Sequence, residues 1–181
     1  MAKNKQDIES LLVLCKKGNR LAQLEVYNRY QQAMYNTSIR ILKNAGDAED
    51  IMQESFITAF DKLDTFKGTA TFGAWLKRIV INNSLTYLKK TQRLEILPET
   101  NLKDQTEEGL GITEEDYTKT KAAKIMACMA KLHTSYREVL TLHLIEGYDH
   151  EELCEIMNIS YANCRTLISR AKDSLRKNLV S

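Results

Sequence analysis

Apolar side chains along this chain recur at spacings of three and four, the period of helices that bury one stripe. The clearest run is Ala48, Ile51, Met52, Ser55, Phe56, Ala59, Phe60 and Leu63, which falls on one helical face wide enough to dock on other helices. Asp47, following Gly46, is expected to cap this helix, with Glu49 and Asp50 favoured in its first turn by the helix dipole. The opposite face carries Glu49, Asp50, Gln53 and Glu54, with Ile57 as an apolar exception. Nothing within the helix requires that acidic cluster, which taken alone is an ordinary solvated face.

The same spacing predicts a first helix over 8–17, capped by Asp7, with Ile8, Leu11, Leu12 and Leu14 or Cys15 inward. Gly18-Asn19 breaks it. A longer helix over 20–44 follows, with Leu21, Leu24, Tyr27, Tyr30, Met34, Ile41 and Leu42 as candidates for burial. Residues 64–70 read as a loop around Gly68, and Thr71 as the cap of a helix over 72–90. That helix places Phe72, Trp75, Leu76, Ile79, Val80, Asn83 and Tyr87 on one face and Ile81, Leu85 and Leu88 on a second. Between them stand the polar or basic Lys77, Arg78, Asn82, Lys89 and Lys90. Aromatics, amides and cations interleaved beside a loop suit single-stranded DNA, whose bases stack on rings while Lys and Arg follow the phosphates. For Trp75 by itself, core packing is the better explanation.

Residues 91–117 lose the apolar pattern and contain Pro98, Gly109 and Gly111, the composition of a linker. Helical spacing resumes over 121–132 through Ile125, Met126, Met129 and Leu132. Thr134 or Ser135 is placed to cap a further helix that ends at Gly147. Residues 149–157 form a short helix, Asn158-Ile159-Ser160 a tight turn, and 161–177 a second helix: a helix-turn-helix. Leu153, Met157, Ile159, Cys164, Ile168, Ala171 and Leu175 form its inside. Its outer stripe holds Ala162, Arg165, Thr166, Ser169 and Lys172 or Asp173, with Tyr161, Asn163 and Arg170 beside it. Arg can pair with guanine, Asn with adenine, and Ala or Thr can meet a thymine methyl, so the stripe suits a major groove.

Seven glycines and one proline, with no alternating apolar runs, make the expected fold all-α in two small helical domains. The net charge of +2 conceals an uneven distribution. Residues 1–90 carry 14 Lys and Arg against 9 Asp and Glu, residues 91–120 carry 3 against 8, and residues 121–181 carry 9 against 7. Two mildly basic lobes therefore flank an acidic connector. Cys15, Cys128, Cys154 and Cys164 lack CxxC spacing and read as buried thiols, and His133 and His143 have no metal-ligand spacing with each other or with a cysteine. No cofactor or metal is expected. No nucleotide-binding glycine loop or Ser/His/Asp arrangement is present, so an enzyme is not expected either. The first residues lead into no apolar signal region and no stretch approaches a membrane span, which makes the cytoplasm the expected location.

The run Asp-Ala-Glu-Asp-Ile-Met-Gln-Glu-Ser-Phe at 47–56, with Phe66-Lys67-Gly68, Trp75-Leu76-Lys77-Arg78-Ile79 and Asn82, resembles region 2 of bacterial sigma factors. The likeness is narrower still to the extracytoplasmic-function (ECF) group, which keeps only regions 2 and 4, and it spans about 7–176 in the expected order. It implies a transcription-initiation factor that binds core RNA polymerase and brings promoter recognition and DNA melting. Residues 1–90 would be the region 2 domain, 91–120 a flexible acidic linker threading the polymerase's RNA-exit path, and 121–181 the region 4 helix-turn-helix. Asp47, Asp50, Gln53 and Glu54 would meet the clamp helices of the polymerase. Lys67, Gly68, Trp75, Lys77, Arg78 and Asn82 would open and hold the minus-ten element. Tyr161, Asn163, Arg165, Thr166, Ser169, Arg170 and Lys172 would read the minus-thirty-five element. Promoter DNA and an anti-sigma factor are implied partners of a chain that is monomeric when free. Ser160, Ala162-Asn163-Cys164 and Leu167 stand where relatives often have Pro, Gly-Thr-Val and Arg, so the DNA sequence does not follow from the resemblance. Two competing readings remain: a one-component regulator that binds duplex DNA without polymerase, and a helical scaffold or anti-regulator that uses its acidic face for protein contact alone.

Overall fold

Local capping and one buried stripe per helix account for most of the architecture. The computed structural model describes residues 7–95 and 116–180, which fall into two units, one on each side of residue 98. Every regular element among the described residues is helical. In the N-terminal unit, α1 (Ile8–Lys16) buries Leu11, Leu12 and Cys15. Asp7 stands at its N-cap, but its backbone carbonyl, not its carboxylate, receives the Leu11 N–H, so the expected side-chain cap is not made. Gly18 turns the chain at φ 77°, and the Asn19 side chain accepts the Ala22 N–H at 3.0 Å to open α2 (Arg20–Leu42).

The inward face of α2 is Ala22, Val26, Met34, Thr37, Ser38, Ile41 and Leu42. Leu21 and Leu24, expected inside, are instead 79% and 54% exposed. Both α1 and α3 lie against α2, and the compact Ala22 and Val26 take the inward positions there, turning the larger leucines out. Lys43 adopts the left-handed conformation at φ 62° and stops α2 before Asn44. Asn44 then accepts the Asp47 N–H at 3.0 Å and opens α3 (Ala45–Asp61). Asp47 is therefore inside the first turn of α3 and is not its cap.

A short 3-10 turn (Leu63–Thr65) leads into loop 66–71. The Thr71 hydroxyl accepts the Ala74 N–H at 3.3 Å, and α4 (Phe72–Glu95) runs past Lys90, where the sequence pattern had ended it. The Thr91 hydroxyl bonds back to the Tyr87 and Leu88 carbonyls, Gln, Arg, Leu and Glu after it all tolerate a helix, and the first strong breaker in the sequence is Pro98. The core joins Leu12, Val26, Met52, Phe56, Leu76 and Val80 across α1 to α4. Polar bonds tie the same helices together: Ser38 to Ser84 at 3.1 Å, and the Asn83 amide to the Ser55 hydroxyl at 3.0 Å.

In the C-terminal unit, α5 (Asp116–Ala130) begins ahead of the expected Lys121 and leaves Ile125 and Met126 41% and 37% exposed. His133, not Thr134 or Ser135, stands at the N-cap of α6 (Thr134–Leu140), where its backbone carbonyl accepts the Tyr136 and Arg137 N–H groups. A π-helical segment (Thr141–Ile145) continues α6, and Gly147 ends it at φ 81°. Asp149 and Glu152 form a reciprocal capping box on α7 (His150–Met157). Asn158 takes the left-handed turn at φ 54°, and the Ser160 hydroxyl accepts the Asn163 N–H at 3.3 Å at the start of α8 (Tyr161–Val180). Leu153, Cys164, Ile168, Ala171 and Leu175 are buried as expected. Ile156 joins them, while Met157 and Ile159 are half-buried. Pro98, Gly109, Gly111 and the rest of stretch 96–115 of the acidic connector lie outside the described residues, while 91–95 belong to α4 and 116–120 to α5. No helix among the described residues is long and apolar enough to cross a membrane.

Candidate functional site

Three surfaces carry the residues singled out by the sequence. On α3, Asp50, Gln53 and Glu54 are exposed together on the side opposite Ile51, Met52, Ser55 and Phe56, which are buried. Gln53 reaches only its own helix, donating to Glu49 at 3.4 Å. Ile57, 63% exposed, borders an open groove of about 400 Å³ lined by Gln23, Leu24, Tyr27, Gln53, Phe56 and Phe60. Beyond Tyr27 a second hollow of about 320 Å³ lies between α2 and the start of α3, with Gln31, Tyr35 and Glu49 on its walls. The sequence pattern gave no sign of this groove, because it assigned Leu24 to the core. Asp47 is set apart from the acidic face: its carboxylate accepts the Tyr87 O–H at 2.9 Å, tying α3 to α4. That hydrogen bond, followed by burial and the charges of Asp47 and Asp50, holds the Tyr87 phenol above its ordinary range.

The second surface is loop 66–71 with the outer stripe of α4. Phe66 enters the loop and Phe72 leaves it, their rings 5.8 Å apart, and Trp75 stacks within 5.3 Å of Phe66 and 5.7 Å of Phe72. Five residues are thus pinned at both ends by aromatic contacts, with Gly68 in the left-handed region at φ 71° between them. Lys67 and Asn82 are exposed, and Trp75 is half-buried. Trp75, Arg78 and Asn82 share one face of α4 by helical spacing. Lys77 does not join them; it shares the side of α4 that carries the buried Ile81 and Ser84. Asn83, near enough in sequence to replace Asn82, is half-buried and held by Ser55.

On α8, Tyr161, Asn163, Arg165, Thr166, Ser169 and Arg170 are all exposed, and Lys172 is half-buried at the edge of the core. Thr166 donates its hydroxyl proton to the Ala162 carbonyl at 3.0 Å, which leaves its methyl and oxygen lone pairs outward. Arg165 and Arg170 form no ion pair among the described residues. Sequence spacing also missed a ring stack in front of this helix. The His150 ring lies 5.2 Å from His143 and 6.0 Å from Tyr161, while His143 Nδ1 meets the Tyr148 carbonyl at 2.9 Å. His150 escaped notice because only the fold brings it to Tyr161.

All four cysteines are free thiols, three buried and Cys154 half-buried. Burial pushes the Cys15 and Cys164 thiols up, and the neighbouring Cys154 thiol adds to the effect at Cys164. No group of three or more His, Cys, Asp and Glu side chains among the described residues is placed to hold a metal ion.

Comparison with known proteins agrees with this geometry. Residues 26–94 match the family model for Sigma-70 region 2, and residues 122–175 that for Sigma-70 region 4. The ECF RNA polymerase sigma factor SigW of Bacillus subtilis is 31% identical, over 91% of this chain and 92% of its own length. The ECF RNA polymerase sigma-E factor of Haemophilus influenzae is 26% identical over 94% of each chain. Among solved structures, CnrH in complex with the cytosolic domain of CnrY has the same fold, at 23% identity and a TM-score of 0.56 over 96% of this chain and 97% of that one. RpoE in complex with the anti-sigma factor NepR, from Bartonella quintana, is 19% identical with a TM-score of 0.58, over 86% and 94%. The chain belongs to the sigma-70 family, in its extracytoplasmic-function group.

Proposed function

We propose that this transcription-initiation factor docks on core RNA polymerase through the outward face of α3, Asp50, Gln53 and Glu54, with Ile57 and the groove beside it as the apolar part of the contact. The observation that supports it is the exposed acidic and amide cluster on a helix whose other side is fully used by the core. Basic side chains on the polymerase clamp helices would complement it, and the apolar strip would supply the desolvated centre such interfaces need. Asp47 contributes indirectly, by fixing Tyr87 and hence the pairing of α3 with α4. Loop 67–71 and the stripe Trp75, Arg78 and Asn82 receive the separated minus-ten strand, a base entering beside Gly68 while Lys67 and Arg78 meet phosphates. The exposed face of α8 reads the minus-thirty-five element in the major groove. The protein acts in the cytoplasm as a specificity subunit, the polymerase performing the chemistry, and an anti-sigma factor is the partner that would hold it inactive.

The test pairs thermal melting of an Asp50, Gln53, Glu54 triple variant with its affinity for core polymerase at low and moderate salt. Substitutions on an exposed face change stability by less than about 0.5 kcal/mol, so the melt should stay unchanged. Binding should be lost, more severely when Asp50 and Glu54 become Lys than when they become Ala, because reversal adds repulsion to the missing attraction. Wild-type affinity in the Lys variant would refute the docking face.

A further inference from the structure

A further role follows for a residue outside all three surfaces. Tyr30, half-buried on α2, has its ring edge-on to Phe72, with centroids 5.4 Å apart at 73°. The same ring lies against Gly73: a Cβ there would stand 3.0 Å from Tyr30 Cε1 and 3.6 Å from Cδ1. Gly73 has no positive φ that would call for glycine, and glycine is a poor choice in the first turns of a helix. Space is the reason for it. The missing Cβ lets the α2 ring press on the very start of α4. Phe72 is in turn the ring that closes loop 66–71 against Phe66 and Trp75. A contact from α2 thus reaches the loop through one aromatic ring.

We propose that Tyr30 is a positioning residue for strand capture: seated in the notch at Gly73, it fixes Phe72 and through it the loop and Trp75 in the arrangement that receives the minus-ten strand. The inference rests on the assignment of that loop to the minus-ten strand. Loops that bind hold their geometry only when the groups behind them are locked by packing, and this loop, with Gly68 at its centre, has little stiffness of its own. Tyr30 touches no DNA in this scheme. Its ring, and not its hydroxyl, carries the effect, so phenylalanine should serve.

The experiment measures four things for each variant. They are the emission of Trp75, the chain's single tryptophan, in the free protein; the thermal midpoint; the affinity for core polymerase; and the affinity of the reconstituted holoenzyme for a probe strand. The probe is the single-stranded non-template strand of a promoter on which the wild-type holoenzyme gives run-off product. Tyr30→Leu and Gly73→Ala should each shift the Trp75 emission and weaken strand binding about tenfold, as displaced site geometry does, with core affinity unchanged. Tyr30→Phe should stay within about twofold of wild type, since the ring contact is kept. Combining Tyr30→Ala with Gly73→Ala should cost no more than Tyr30→Ala alone, because the clash partner is gone. Should Tyr30→Leu fail to fold, Gly73→Ala alone decides the matter, by its strand affinity and Trp75 emission beside those of Tyr30→Phe. Wild-type strand affinity in Gly73→Ala, or fully additive losses in the double variant, would overturn the positioning role. A Lys67→Ala, Asn82→Ala double variant separates the two assignments. If it keeps wild-type strand binding, the minus-ten site falls and the inference with it; if it loses binding while Tyr30→Leu and Gly73→Ala do not, only the role of Tyr30 falls.

Discussion

The two units of this protein hold their working surfaces in opposite ways. In the N-terminal unit the polar bonds that align α2, α3 and α4 join residues far apart in sequence: Asn83 with Ser55 across 28 positions, Tyr87 with Asp47 across 40, and Ser38 with Ser84 across 46. In the C-terminal unit the bonds that shape the helix-turn-helix are local, Asp149 with Glu152 and Ser160 with Asn163, each across 3 positions. Two side-chain bonds there that span more of the sequence, Cys128 to the Asn178 carbonyl and Cys164 to the His150 carbonyl, use weak thiol donors. The surface proposed for a separated strand thus depends on tertiary packing for its shape. The surface proposed for an intact duplex is one exposed helix face, for which a good cap and a fixed turn suffice.

The largest effect should come from Phe56→Ala. Phe56 is 2% exposed, packs on Tyr27 and Phe60, and belongs to the core shared by α1 to α4. Emptying that site should cost about 3–5 kcal/mol, and the α3 face and the Trp75 cluster should fail together in denaturant titrations followed by tryptophan emission. Retention of the Trp75 environment after α3 has loosened would break the contrast, because the N-terminal surfaces would then be separately held. Next in size are Arg165→Ala and Arg170→Ala, which should each cost about 1–3 kcal/mol of promoter affinity at a single base while the melt stays within about 0.5 kcal/mol. Equal losses on scrambled minus-thirty-five duplexes would make both residues phosphate holders and would remove their reading role.

Smaller again is Asp149→Ala, which removes one side of the capping box and should cost about 1 kcal/mol, read as faster hydrogen exchange at the start of α7 with α2 to α4 undisturbed. The smallest effect is expected from Tyr87→Phe. The Tyr87 phenol is held protonated by Asp47, so its contribution is fully present below the ordinary phenol value of about 10 and is lost as pH rises through the raised one. Denaturant titrations of wild type and variant should differ at neutral pH and converge in strong alkali. A gap that persists at the alkaline end would mean the hydroxyl is not what ties α3 to α4.

The contrast also explains what could be read from the sequence. The turn at Asn158-Ile159-Ser160 and the outward stripe of α8 were both legible, because each depends on residues within a few positions. The buried stripe of α3 was legible too, since its period is strong. Legibility ended where the partner was distant. Leu21 and Leu24 looked as apolar as Ala22 and Val26, and only the closeness of α1 and α3 decides which pair turns inward. Asp47 looked like a cap until Asn44 filled that position and Tyr87 claimed the carboxylate. Lys77 stands in a basic run, yet α4 is covered on two sides, which separates it from Arg78 and Asn82. The seat of Tyr30 at Gly73 leaves no periodic signature at all.

The Ser38–Ser84 contact has a consequence for how such a sequence can drift. Both serines are fully buried, with their hydroxyls 3.1 Å apart, so two small side chains let α2 and α4 run close together at that point. Losing one hydroxyl strands the other; losing both to alanine is close to neutral. Enlarging either one wedges the helices apart unless the other shrinks. The two positions therefore behave under selection as a single inherited character, and among descendants of this sequence a change at 38 should be found with a compensating change at 84.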